Sequence, residues 1–161
     1  MTNPDHASDV SKVICTALSQ QCERVRLRIH QLVEPLTHEQ LWTKPYPYGN
    51  SVGHLLLHVT GNLRNYIGAG IANSGYVRDR PKEFADDSKR EKDAVMSDFE
   101  GAVAELLATA RAQSDADWGK PYDGGMGVED IDNRLSIFIR CAAHLDHHMG
   151  QMIYLCKQLA L

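Results

Sequence analysis

Ser51-Val52-Gly53-His54-Leu55-Leu56-Leu57-His58-Val59-Thr60-Gly61-Asn62 and His144-Leu145-Asp146-His147-His148-Met149-Gly150-Gln151 decide how the rest of the chain is read. Both carry apolar residues at helical rather than strand period. His144 and His148 stand four apart, so on a helix their imidazoles project from one face, about one turn apart. His58, from another helix, would complete a set of three. Three histidines leave coordination positions open on a cation, whereas structural zinc sites fill all four with protein ligands.

Outward from these stretches, punctuation divides the chain into four long helices. The first is expected over residues 8–33, with Val10, Val13, Ile14, Ala17, Leu18, Val25, Leu27, Ile29 and Leu32 as its inward stripe, closed by Pro35. Thr37 and Gln40 have capping-box spacing, which predicts a short helical turn before Pro45 and Pro47 break the chain. Asn50 or Ser51 caps a second helix running to about residue 73. Residues 74–84 read as a loop, and residues 88–113 as a third helix with Val95, Phe99, Val103, Leu106 and Leu107 inward. A short turn over 114–118, then Pro121 and Gly124, Gly125 and Gly127, lead to a fourth helix over residues 128–159. Nothing reads as a strand, and repeats are absent. The expectation is one all-α domain over residues 1–161, a four-helix bundle, in whose core metal sites are commonly built.

Charge narrows the partners. Seventeen Lys and Arg stand against 21 Asp and Glu, and no basic run occurs, which argues against nucleic acid. No apolar stretch approaches the roughly 20 residues of a membrane span, and the N-terminus lacks a signal-peptide pattern. A cytoplasmic protein is expected, with a homodimer as one option. Cys15, Cys22, Cys141 and Cys156 form no C-x-x-C pair and read as free, mostly buried thiols. Cys141, three before His144, lies near the same face.

Turning each residue by about 100° sorts the histidines. In the last helix Ile131, Leu135, Phe138, Cys141, Ala142, Leu145, Met149, Ile153 and Cys156 form one apolar face, with His144 and His148 at its edge and Gln151 on the same rim. His147 falls near the opposite side, and the angle of Asp146 turns it away. In the second helix His58 is nearer the buried face than His54. An isolated pair of this spacing is more often a surface accident or a hydrogen-bonded core pair than a metal site. His6, His30 and His38 read as surface residues, and His54 and His147 as solvent-facing or as supports for the ligands.

With Leu36-Thr37-His38-Glu39-Gln40-Leu41-Trp42, Asn50-Ser51-Val52-Gly53, His58-Val59-Thr60-Gly61-Asn62, Arg78-Asp79-Arg80-Pro81-Lys82-Glu83-Phe84 and His144-x-x-x-His148-x-Gly150-Gln151 in this order, the chain resembles the DinB/YfiT-like superfamily over nearly its whole length. The resemblance implies a four-helix bundle with His58, His144 and His148 as ligands of a divalent transition metal. Characterised relatives include transferases and isomerases that use low-molecular-weight thiols, and metal hydrolases. Others have no established activity.

Imidazole suits zinc, nickel and iron(II); zinc is the first choice and nickel the second. Such a cation brings the pKa of bound water to about 7 and deprotonates a bound thiol. The expected function is small-thiol S-transfer, with metal-dependent hydrolysis or non-catalytic binding of a metal or small molecule as alternatives. Gln151 could orient a ligand imidazole. Asn62 could face the cleft or cap a loop. Arg78 and Arg80 could hold a substrate carboxylate or pair with Asp79 or Glu83. No general base stands out.

Overall fold

The computed structural model describes residues 4–123 and 131–160, with side chains from residue 10 onward. Seven helices are present among them: α1 Pro4–Val33, α2 His38–Trp42, α3 Val52–Leu63, α4 Arg80–Ala85, α5 Lys92–Arg111, α6 Asp115–Trp118 and α7 Arg134–Leu159. No strand occurs among the described residues, only an isolated bridge between Pro121 and Asn133. None of these helices is long and apolar enough to cross a membrane.

The long helices α1, α3, α5 and α7 form the bundle. α3 packs against α5 and α7, and α1 packs against the same two. Their shared interior is closed by Ile29, Leu56, Leu63, Phe99, Leu106, Phe138 and Leu145, all fully buried. α3 and α7 are therefore direct neighbours, the condition for His58 to meet His144 and His148. Among the short helices, α2 has the capping box expected at Thr37 and Gln40. Its Trp42 lies against Gly53, where a Cβ would stand 2.7 Å from the indole.

Several boundaries differ from the sequence expectation. Ser51 caps α3 as expected, but beyond Leu63 the helix continues as a π-helical turn, Arg64–Ala69. There the Gly70 N–H donates to the Asn65 carbonyl, and the Tyr66 carbonyl accepts from the Tyr122 hydroxyl at 2.9 Å. The wider turn thus accommodates a tertiary hydrogen bond that an α-turn would contest. Asn73 and Gly75, at φ 55° and 75°, then end the helical path.

The segment read as a loop contains α4, whose start is set by Asp79 accepting from the Lys82 N–H and by Pro81 in the first turn. α5 begins at Lys92 rather than near residue 88. α7 begins at Arg134, capped by the Asn133 side chain, so Ile131 precedes the helix. The expected helix start at residue 128 and Gly124, Gly125 and Gly127 lie outside the described residues. Val10, Val13 and Leu27, assigned to the inner stripe of α1, are 55%, 67% and 52% exposed. A helix of this length, covered on one side by α5, α7 and the short α6, offers its core a narrower stripe than its apolar content suggested.

Candidate metal centre

α3 delivers His58 and α7 delivers His144 and His148 to one point. His58 and His148 are buried and His144 is half-buried. Nε2 of His144 lies 3.2 Å from Nε2 of His58 and 3.1 Å from Nε2 of His148. One ligating nitrogen from each of the three lies within 4.8 Å of the others. Two metal–nitrogen bonds of about 2.0–2.1 Å at a tetrahedral angle would put their nitrogens about 3.3 Å apart, and at a right angle about 2.9 Å. The observed separations fall between these values.

The other ring nitrogens explain why Nε2 points inward. The Nδ1–H of His58 donates to Glu83 Oε2 at 2.8 Å, and the Nδ1–H of His148 donates to Gln151 Oε1 at 2.7 Å. Each bond fixes the tautomer that leaves an Nε2 lone pair facing the centre. Glu83 is itself clamped. Arg78 Nε donates to its Oε1 at 2.6 Å and Arg78 Nη2 to its Oε2 at 2.8 Å, a bidentate pair in which Glu83 is buried and the Arg78 side chain nearly so. Gly61, one turn after His58, makes room for this carboxylate; a Cβ there would fall on Oε1, with Cδ only 2.9 Å away. Phe84, next to Glu83, packs on the His58 ring at 4.7 Å between centroids.

Glu83 is the site residue that the sequence reading passed over except as an ion-pair partner. It sits in a six-residue helix, too short to show a period. The signals available were Asp79 and Pro81 as a helix start, and a glycine inside the strongly apolar α3, which marks close approach of another group. Arg78 proves to be the partner of Glu83 rather than a free wall of a cleft. Arg80 is exposed, its guanidinium 5.5 Å from the Phe84 ring centroid.

His54 is buried away from the three-histidine group. The Ser51 hydroxyl donates to its Nδ1 at 2.6 Å, and its Nε2–H donates to the Asp86 carbonyl at 3.0 Å. It therefore ties the start of α3 to the end of α4, a role neither solvent exposure nor ligand support had anticipated. His54→Ala is expected to cost about 1–3 kcal/mol by orphaning these buried partners, read as a lower urea midpoint, with metal content close to wild type. Unchanged stability would remove this role.

Asn62 is buried, and its Oδ1 has no hydrogen-bond partner among the described residues. His147 is exposed and accepts from Gln151 Nε2 at 3.3 Å. Asp146 pairs with Arg24 on the surface, as its helical angle implied. His30 pairs with Glu100, and His38 is exposed near Glu91; the His6 side chain lies outside the described residues. All four cysteines are free thiols.

Burial is the main cause that pushes His144 down to about 3, with His148, His58 and Arg78 adding repulsion. His148 falls to about 4, again chiefly through burial, against the opposing hydrogen bond that it donates to Gln151. Both start from an ordinary value of 6.5, so both rings are neutral and able to ligate at pH 7. Between pH 6.5 and about 4 the unfolded chain binds protons that the folded chain refuses. Stability present above pH 6.5 is therefore lost as the pH falls through this window. Metal-stripped protein should show a urea midpoint that drops steadily from pH 7 to pH 4.5; a flat profile would contradict these depressed values.

An all-helical bundle carrying three imidazoles at metal-holding spacing is the class that fold and site define. The sequence model of the DinB superfamily matches residues 21–152, and the chain belongs to that superfamily. No curated protein matches it closely enough to add an activity.

Proposed function

We propose that His58, His144 and His148 hold one divalent transition-metal ion, zinc before nickel, and that the protein is an enzyme transferring a small thiol to an electrophile. The observation that carries the metal reading is the convergence of three Nε2 atoms, two of them fixed in the ligating tautomer by Glu83 and Gln151. A cation held by three neutral ligands stays strongly Lewis acidic and favours the thiolate form of an incoming thiol.

The chain's own groups divide the work. Glu83 retains the Nδ1 proton of His58, Arg78 holds Glu83 in place, and half-buried His144 marks the side open to solvent. The two buried thiols are poor candidates for the nucleophile. Burial pushes Cys141 up to about 12 and Cys22 to about 11, so the reactive sulfur is expected to come from outside. With 1-chloro-2,4-dinitrobenzene as a model electrophile, a carbon–sulfur bond forms and the carbon–chlorine bond breaks. Chloride leaves with the bonding pair, and the thiol proton passes to solvent.

Consumption of glutathione and of cysteine by zinc-loaded protein tests this, with His148→Ala as control. Turnover above the background rate in wild type and background alone in His148→Ala is the expected result. Activity that survives removal of the metal, or that uses only water as nucleophile, would overturn the transferase reading. The second outcome would point to a hydrolase, and no activity with metal firmly bound to a binding protein.

A further inference from the structure

Pairs of contacts show how α4 and α7 run beside α3. On the α4 side, the His54 Nε2–H donates to the Asp86 carbonyl and the His58 Nδ1–H to Glu83. On the α7 side, His58 meets His144, and the Arg140 guanidinium lies 6.0 Å from the Tyr66 ring centroid. Numbering rises along α3 as it falls along both neighbours, so each runs antiparallel to it. Arg80, three residues before Glu83, therefore stands about 4.5 Å beyond it toward the C-terminal end of α3. His144 is one turn nearer this end than His148, and it is the half-buried member of the three. Side chains lean toward the N-terminus of their helix, so both α7 imidazoles tilt the same way.

Arg80 brings an uncommitted charge to this end. It is exposed and makes no ion pair or hydrogen bond among the described residues. The carboxylates around it are turned elsewhere: Glu83 to Arg78 and His58, Asp79 to the Lys82 N–H, and Asp86 to the Ser88 N–H. The guanidinium lies over Phe84, 5.5 Å from the ring centroid, and Phe84 packs on the His58 ring at 4.7 Å. Arg80 is thus no more than about 10 Å from the His58 ring. A metal–sulfur bond of about 2.3 Å, a spacer of a few carbons and a charge-assisted hydrogen bond of about 2.8 Å together span a comparable distance.

We propose that Arg80 determines specificity for the incoming thiol: it holds the carboxylate of a small thiol that carries one a few carbons from sulfur. The planar guanidinium can keep its face on Phe84 while its edge donates two parallel N–H bonds to the carboxylate, a fork that a lysine ammonium lacks. Sulfur on the metal and carboxylate on the arginine fix the ligand at both ends, which orients the nucleophile. An uncharged thiol would have the metal as its single anchor. This role rests on the thiol-transfer reading above.

Cobalt(II)-loaded protein provides a readout that needs no turnover, because a bound thiolate gives a sulfur-to-cobalt charge-transfer band. 3-Mercaptopropionate and its methyl ester share a thiol and a chain length and differ in charge. Each is titrated into wild type, Arg80→Gln, Arg80→Lys and Lys82→Gln. Lys82 lines a separate cleft with Arg64 and Asp98, so its replacement removes an equal charge away from the proposed seat. Both residues are exposed, and the variants should keep the wild-type melting curve. Arg80→Gln should weaken binding of the acid about tenfold and of the ester less than about twofold. Arg80→Lys should fall between, and Lys82→Gln should match wild type. Unchanged affinity for the acid, equal weakening of acid and ester, or an equal effect of Lys82→Gln would overturn the seat and leave the thiol on the metal. No band with either probe in wild type would overturn the thiol reading, and the seat with it.

Discussion

Alanine at His58, His144 or His148 is expected to remove most of the bound metal, leaving well under half an equivalent where wild type retains close to one ion per chain. Each loss deletes one of three nitrogens, and the remaining two have no fourth protein ligand among the described residues to fall back on. His147→Ala and His54→Ala should retain much more. His147 is exposed, and both ring nitrogens of His54 are committed to Ser51 and Asp86. Elemental analysis of protein purified without nickel resin and dialysed against zinc gives the readout. Comparable losses in all five variants would mean that the three-histidine group is not the binding site.

Removing the Glu83 carboxylate should produce the next largest effect, and on two quantities at once. Glu83→Ala leaves the largely covered Arg78 guanidinium without its partner and the Nδ1–H of His58 without an acceptor. Breaking a buried ion pair from one side costs about 3–5 kcal/mol, seen as a lower urea midpoint in metal-free protein. Loss of a carboxylate that orients a ligand imidazole typically lowers metal affinity about 10–100-fold. Glu83→Gln keeps an acceptor and should lie between the two. Gly61→Ala should resemble Glu83→Ala, because its methyl group would occupy the carboxylate's place. Zinc affinity is read by competition with a chromophoric chelator. Wild-type affinity in Glu83→Ala would show that the carboxylate does not position His58.

The distance between residues in sequence decided which parts could be read in advance. His144 and His148 share one helix, and the regular turn of that helix alone sets them side by side. Apolar periodicity also placed His58 on the inner face of α3, and Asp146 and His147 off the site. Pairings made across elements were another matter. Glu83 reaches His58 from a helix of six residues, in a segment whose glycine, proline and charges read as loop. The His54 bridge depends on where the chain passes after α4, which no local pattern specifies. In α1, Val10, Val13 and Leu27 satisfied the period yet face outward, because periodicity reports a direction but not how much of a helix its neighbours cover. At the end of α3, the π-turn answers to Tyr122, more than fifty residues downstream.

His58 and His144 meet across a separation of 86 residues. During synthesis, the α3 half of the centre leaves the ribosome with one imidazole and no partner. α7 later brings two, spaced so that a lone helix already presents both to a cation. Domains form largely as units while the chain emerges, so the complete ligand set exists only once α7 has joined α3. A cation held there would bridge a long loop whose entropic cost folding has already met. A product cut short before α7 would carry His58, Glu83 and Arg78 but only one of the three imidazoles that the proposed centre needs.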